Sequence, residues 1–532
     1  MRTVNLTFLK SLNKLMMKKS IIYISIVLLS LFIQSCEKDV LDDQSGETFI
    51  VTSQYEEKVE IPKYDPNDLT HVLITTENKK WNNSVLNDPD YKHFYIEPGK
   101  YSAKVNLTAS GTENERRTLS LYNGNNLHPA SLPDSQVADI VFRLTGASYW
   151  TVDRIVNKNS ILSSEAIGLR NNSSYNIFNR IHIDNFNNGL YIFGGGDGNV
   201  IQNSRFSNMR LNAPDGVAVG LTWGSNKETL YAIKNTKIIN NEFYNCSDSI
   251  QLVRRNRPSD GTLQDVNYEG TVIDSNVMYI DSKIYTNGKG VLDSNGFYAL
   301  AENALDIKVG SNSSNRPVLI TNNRMWGYRM SDNLAGGTRS DHGAAIVVHF
   351  GAQNLKIDSN IIFDSAQGIV VGAKDRFNYS LENSEITNNI IYSTGAYAET
   401  GDSYGAVMLW EVSSVKFKQN TIVNARVRSM WGKGTIFDLS FVDNVIINSA
   451  SPYNETPSKT KFNHNYYYDT PSNGYASGLD DRVFSTDAKA KMDDYVFTYD
   501  CYTTHSKHKT LKGGVTTKDS PHYKKAGSTI DI

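Results

Sequence analysis

Between Glu302 and His349 the chain places a carboxylate, an amine and an imidazole at spacings that bring them to one surface. Ala301-Glu302-Asn303-Ala304-Leu305-Asp306-Ile307-Lys308-Val309-Gly310 reads as a short alternating strand, and so does Ser340-Asp341-His342-Gly343-Ala344-Ala345-Ile346-Val347-Val348-His349. Side chains alternate between the two faces of a strand, so Leu305 and Ile307 point one way with Ile346 and Val348. Asp306, Lys308 and His349 then point the other way. Proton transfer needs such a set: one group to take a proton, one to give it, and a charge to hold both in place.

The elements that would position these residues are strands. The chain has 532 residues, a net charge of -2 and 13 prolines, and it is rich in Asn, Gly, Ser and Tyr. That composition suits many short strands joined by polar turns. The near-neutral charge gives no reason to expect a nucleic-acid partner. Three cysteines, Cys36, Cys246 and Cys501, form no disulfide framework; Cys246 is expected in the core.

An internal repeat decides the fold. Lys237-Ile238-Ile239-Asn240-Asn241-Glu242-Phe243 returns as Val272-Ile273-Asp274-Ser275-Asn276-Val277-Met278 and as Leu319-Ile320-Thr321-Asn322-Asn323-Arg324-Met325. Further copies centre on Asn360, Asn389, Asn420 and Asn444, with weaker ones around Asn179 and Ser204. From Asn241 onward the equivalent asparagines are 35, 47, 37, 29, 31 and 24 residues apart. A short minimum with variable additions is how stacked coils behave: strands keep register and loops absorb insertions. Asparagine suits the corner because it tolerates left-handed backbone and its amide can bond the coils above and below. These asparagines are read as structural.

The pattern resembles the right-handed parallel β-helix, a single-stranded all-β solenoid, over residues 63–449. Leucines at fixed offsets and regular propeller blades are both missing. His93-Phe94-Tyr95-Ile96-Glu97-Pro98-Gly99 resembles the first rung of such proteins. The lysine-rich stretch 450–532 is expected to be an irregular cap over the last coil, which would otherwise expose strand edges.

Aligning the strand that opens each coil stacks Gln251, Asp306, Val347 and Val370 in one outward file. Val253, Lys308, His349 and Gly372 make the next. Long insertions gather on the same coils and carry Arg254, Arg255, Trp326, Tyr328, Arg329, Arg339, Lys374 and Arg376. Loops on one flank of a rigid solenoid would wall a groove. Aromatic rings and guanidinium groups there suit sugar faces and acidic substituents.

At the other end, Met17-Lys18-Lys19 precedes an apolar run from Ile21 to Ile33 that is too short to favour a spanning helix. The run closes on Leu31-Phe32-Ile33-Gln34-Ser35-Cys36, which resembles a bacterial lipoprotein signal. The resemblance implies a signal peptide over 1–36 whose lipobox ends at Cys36, with Cys36 lipidated as the first residue of the mature chain. The acidic tether 37–62 is similar to export signals of surface lipoproteins in Bacteroidota. It implies an outer-membrane or cell-surface protein, expected to be a monomer.

Exported β-helices with a central groove resemble polysaccharide-processing proteins. The polygalacturonase pattern of Asn-x-Asp, Asp-Asp and Gly-His-Gly is not present; Asp341-His342-Gly343 is its nearest fragment. An inverting hydrolase would need two carboxylates about 6.5–9.5 Å apart. Lyases resembling chondroitinase B or the family 9 pectate lyases use a lysine base with Ca²⁺ held by acidic side chains. That resemblance implies Lys308 as base, with Glu302, Asn303 and Asp306 as calcium ligands. His349 or His342 would share proton handling, and Arg329 would neutralise the sugar carboxylate. Arg254, Arg255, Trp326, Tyr328, Arg339, Lys374 and Arg376 would bind substrate. The acidic residues are sparser than in the family 9 calcium site. The expected activity is β-elimination on a uronic-acid polymer, a glycosaminoglycan of the chondroitin, dermatan or hyaluronan kind ahead of pectin or alginate. A β-helix glycoside hydrolase and a non-catalytic glycan-binding solenoid are the alternatives.

Overall fold

A computed structural model describes residues 53–484, apart from 123–137, 159–164, 210–215, 223–231, 254–266, 281–301, 329–342, 373–378, 393, 395–404, 451, 455–459, 469 and 471–481. Within them each coil carries three short strands. The coil that opens on Asn303–Ile307 continues through Val318–Thr321 and Arg324–Trp326, and returns at Ala344–His349. Every return pairs in parallel with the strand one coil earlier: Leu305 lies opposite Ile346, and Ile346 opposite Ile369. Parallel pairing of successive coils makes this a parallel β-helix, of the right-handed kind that parallel crossovers adopt. In later coils the first two strands fuse into the twelve-residue strands Val407–Lys418 and Trp431–Val442. The one helix among the described residues, Asn83–Leu86, is a single turn capped by Asn82.

The core follows from alternation. Leu305, Ile307, Ile346, Val348, Ile369, Val371 and Leu409 are fully enclosed. Burying each such side chain is worth about 1.5–3 kcal/mol. Phe206 stacks on Phe243, and Phe417 on Phe441, with ring centroids 5.2 and 5.0 Å apart. Aromatic residues at equivalent positions stack because adjacent strands lie about 4.8 Å apart. Cys246 is buried.

The corner asparagines form a ladder. The backbone N–H of Asn241 donates to Oδ1 of Asn276, and the same bond repeats at 2.9–3.0 Å through Asn323, Asn360, Asn389, Asn420, Asn444 and Asn465. Each amide nitrogen donates to the next Oδ1, as from Asn323 to Asn360, and to a carbonyl of the preceding coil. The left-handed backbone sits one residue earlier than expected. Asn240, Ser275, Asn322, Ser359, Asn388, Gln419, Asp443 and His464 carry φ of 53–59°, and the ladder residue follows them. Asparagine is therefore required for its amide, and the residue before it supplies the turn.

The stack also passes the boundary expected at Ser449. Thr460–Asn463 pairs with Leu439–Val442, Tyr466–Tyr468 with Val445–Ile447, and Arg482–Phe484 with Tyr466–Tyr468. The signal and tether, 1–36 and 37–62, with Cys36, lie outside the described residues except for 53–62. Ser53 and Glu57 of that short piece bond the corner side chains of Asn240 and Gln202.

Candidate active site

The outer face of the opening strands carries the candidate residues. Gln251 lies opposite Asp306, Asp306 opposite Val347, and Val347 opposite Val370. Lys308 and His349 each come two positions after Asp306 and Val347, in the adjacent file. The alternation that sends Leu305 and Ile307 inward leaves Asp306 and Lys308 no choice but the outer face.

Asp306 is the centre. Its Oδ1 bonds His349 Nε2 at 2.6 Å, and its Oδ2 takes Lys308 Nζ at 2.7 Å and Gln251 Nε2 at 2.8 Å. The Gln251 amide also reaches Asp248 Oδ2 at 3.4 Å, and Asp248 Oδ1 accepts the backbone N–H of Asn303 at 3.2 Å. Asp306 is almost wholly enclosed, at 3 % side-chain exposure, while Lys308 keeps 23 % and His349 8 %. His349 stacks on Phe350, centroids 4.1 Å apart. Phe350 has φ 63°, an uncommon conformation for a bulky residue, and it holds the ring against the imidazole.

Electrostatics sort the three acidic and basic groups. Burial alone would raise the Asp306 carboxyl, but the His349 bond and the His349 and Lys308 charges hold it far below the usual range. Burial would lower Lys308, yet the Asp306 charge and hydrogen bond, then Asp248 and Glu302, raise it: the amine is an ammonium. Asp248 goes the other way. Burial first, then the charges of Glu302 and Asp306, push its carboxyl well above the ordinary value. An ionised Asp306 requires the proton on His349 Nε2, so Nδ1 is the ring nitrogen left to give or take a proton.

The expected calcium ligands do not make a cation cradle as arranged. Both Asp306 oxygens are taken by His349, Lys308 and Gln251, and Asp248 beside them favours its neutral form. A hard divalent cation needs several free anionic oxygens. Among the described residues no group of three His, Cys, Asp or Glu is placed to hold a metal. Asn303 is buried, and Glu302 bonds Ser247 through its backbone.

Two expected groove residues are elsewhere. Tyr328 is fully buried, its hydroxyl 2.8 Å from Ser249 Oγ. Trp326 lies on the third strand of its coil, stacked between Tyr279 and Phe363 at 4.6 and 5.0 Å. Both follow the repeat motif directly, so they belong to the stack and not to a wall. Arg254, Arg255, Arg329, Arg339, His342, Lys374 and Arg376 fall outside the described residues. Sequence reasoning passed over Asp248 and placed Gln251 in the file without assigning it to the site. The signal was available: both sit on the coil before Asp306, at positions the repeat aligns with Asn303 and Asp306.

No protein-family model and no curated protein sequence matches the chain. Among solved structures, a mannuronic-acid-specific polysaccharide family 6 lyase from human gut microbiota is 12 % identical, covering 80 % of this chain and 93 % of that one, with a TM-score of 0.49. A family 6 alginate lyase in complex with a trisaccharide is 14 % identical over 80 % and 88 %, at 0.46. The catalytic domain of an α-1,3-glucanase with nigerose is 14 % identical over 69 % and 66 %, at 0.35. Similarity of this degree decides nothing about chemistry, which rests on the side chains.

Proposed function

We propose that the protein is a lyase that cuts a uronic-acid polymer by β-elimination. One observation supports this above the others: a single buried carboxylate, Asp306, holds an ammonium and an imidazole together on the outer face of the solenoid. An internal ion pair of that kind costs desolvation and is weak evidence of a stabilising role alone. It is what elimination beside a sugar carboxylate requires.

In this reading His349, aligned by Asp306, takes the C5 proton at Nδ1. The C5–H electrons form the C4–C5 double bond, the C4–O bond breaks, and the leaving oxygen takes a proton from the Lys308 ammonium. Asp306 stays ionised throughout, and exchange with water restores both groups. Lys308 thus serves as acid and as counter-charge to the uronate, where resemblance alone implied the base. The ammonium state is the reason. No step passes through calcium, so chelation is expected to leave the rate unchanged.

The substrate class is the uronic polymer. Alginate stands level with chondroitin, dermatan or hyaluronan here, because the arginines that favoured sulfated chains lie outside the described residues. Mass spectrometry of the products decides the reaction. Elimination yields fragments one water lighter than those of hydrolysis, and full-weight fragments would mean a hydrolase. Lipidation at Cys36 and a surface location belong to the same proposal; labelled fatty acid should enter the chain and be lost with Cys36→Ala.

A further inference from the structure

The outward files that hold Asp306 and His349 continue toward the C-terminal coils and end on a different chemistry. Val370 lies opposite Met408 and Met408 opposite Trp431; in the adjacent file His349 lies opposite Gly372, and Trp410 opposite Lys433. Val347, Val370 and Met408 form a closed apolar floor, against which the half-buried Trp410 and Trp431 pack. Lys433 Nζ lies 4.5 Å from the Trp410 ring centre and 4.9 Å from that of Trp431, and the Arg428 guanidinium lies 4.3 Å from Trp431.

The opposite end of this face shows why that matters. There Lys104, Arg143 and Arg170 all converge on Glu165, at 3.6, 2.5 and 2.7 Å, so a buried carboxylate already answers their charge. Lys433 makes no ion pair with any carboxylate among the described residues; its neighbours are two indoles. Ring faces attract an ammonium without neutralising it, and its N–H groups stay available to an anion. At a strand spacing of about 4.8 Å, Lys433 stands three strands past His349, about 14 Å along the files.

We infer that Lys433, seated on Trp410 and Trp431, is a distal subsite that binds the carboxylate of a second acidic sugar on the same polymer chain. The indole edges present apolar surface for the sugar's C–H face. The inference rests on the uronic-polymer reading and adds to it a direction: the bound chain runs from Asp306 toward the C-terminal coils.

The test compares kcat/KM for long polymer and for oligosaccharides too short to span about 14 Å. In Lys433→Met the ratio of polymer to short-oligosaccharide kcat/KM should fall about tenfold, through KM, as expected for a lost contact of about 1.4 kcal/mol. Lys433→Arg, which keeps the charge over the rings, should restore most of it. If the unaltered protein cuts polymer but Lys433→Met leaves the ratio unchanged, the subsite is wrong and the lyase reading stands. If Lys433→Met and Lys433→Arg fall alike, the site serves packing and the inference fails. If the unaltered protein cuts no uronic polymer, both fall together.

Discussion

Two rows of side chains climb this solenoid, and they obey opposite rules. The corner row repeats one residue coil after coil, from Asn241 to Asn465, each amide donating forward and back. The outer row changes at every step: Gln251, Asp306, Val347, Val370, Met408, Trp431. Every coil must turn the same corner and satisfy the same buried backbone groups, so the first row is constant. A proton-transfer site would be needed at one place only, and the second row departs from repetition at Asp306, where the proposed chemistry lies. In a repeat protein the interruption of the pattern is the functional signal.

That contrast can be broken from either side. Asp306→Asn should have the largest effect, because it removes the charge that holds Lys308 and His349 together. Breaking one partner of a buried ion pair costs about 3–5 kcal/mol, and activity should fall about a thousandfold, the scale of lost acid–base catalysis. Denaturant unfolding and steady-state rates measure the two losses; stability falling with activity untouched would make the cluster structural. Asn323→Ala should do the reverse. It removes the amide bonds to Ile273, Asn276 and Asn360 and leaves buried groups unpaired. Stability should drop by about 2–4 kcal/mol, at 1–3 kcal/mol for each unsatisfied group, while the folded fraction keeps its kcat.

The smallest effect is a pH signature that separates the two acids of the site. Asp306 has a folded pKa below its unfolded value, so its contribution is complete above about pH 4 and is lost as pH falls further. Asp248 has a raised folded pKa, so its neutral form contributes fully below about pH 4, and that contribution is lost as pH rises. Asp248→Asn should therefore raise Tm at pH 7, with no gain at pH 4, as differential scanning fluorimetry would show. A lower Tm at pH 7 would mean that the carboxylate is ionised and paired.

The repeating row was the legible part. Spacing alone identified the coils from Asn241 to Asn444, and strand alternation brought Gln251, Asp306 and Val347 into one file with Lys308 and His349 beside it. Aromatic placement was not legible. Trp326 and Tyr328 sit a few residues beyond the same asparagine, yet one joins an outer stack and the other enters the core beside Ser249. Strand periodicity gives a face but not the neighbour two coils away. The sequence showed a lysine with a carboxylate beside it. It could not show that Asp306 spends both oxygens on Lys308, His349 and Gln251, which raises the Lys308 pKa further and leaves Asp306 no oxygen free for a cation as arranged. Beyond Ser449, where the repeat dissolves in the sequence, Thr460–Asn463 and Tyr466–Tyr468 still pair in register and Asn465 keeps the ladder.

The central claim is most directly tested by following the ultraviolet absorbance of the conjugated double bond on alginate, pectate and chondroitin, with Lys308→Met and His349→Gln beside the unaltered chain. The account predicts growing absorbance on at least one polymer and a loss of about a hundred- to ten-thousandfold in each variant, with circular dichroism unchanged. Silence on every uronic polymer, or a variant that keeps the full rate, would contradict it.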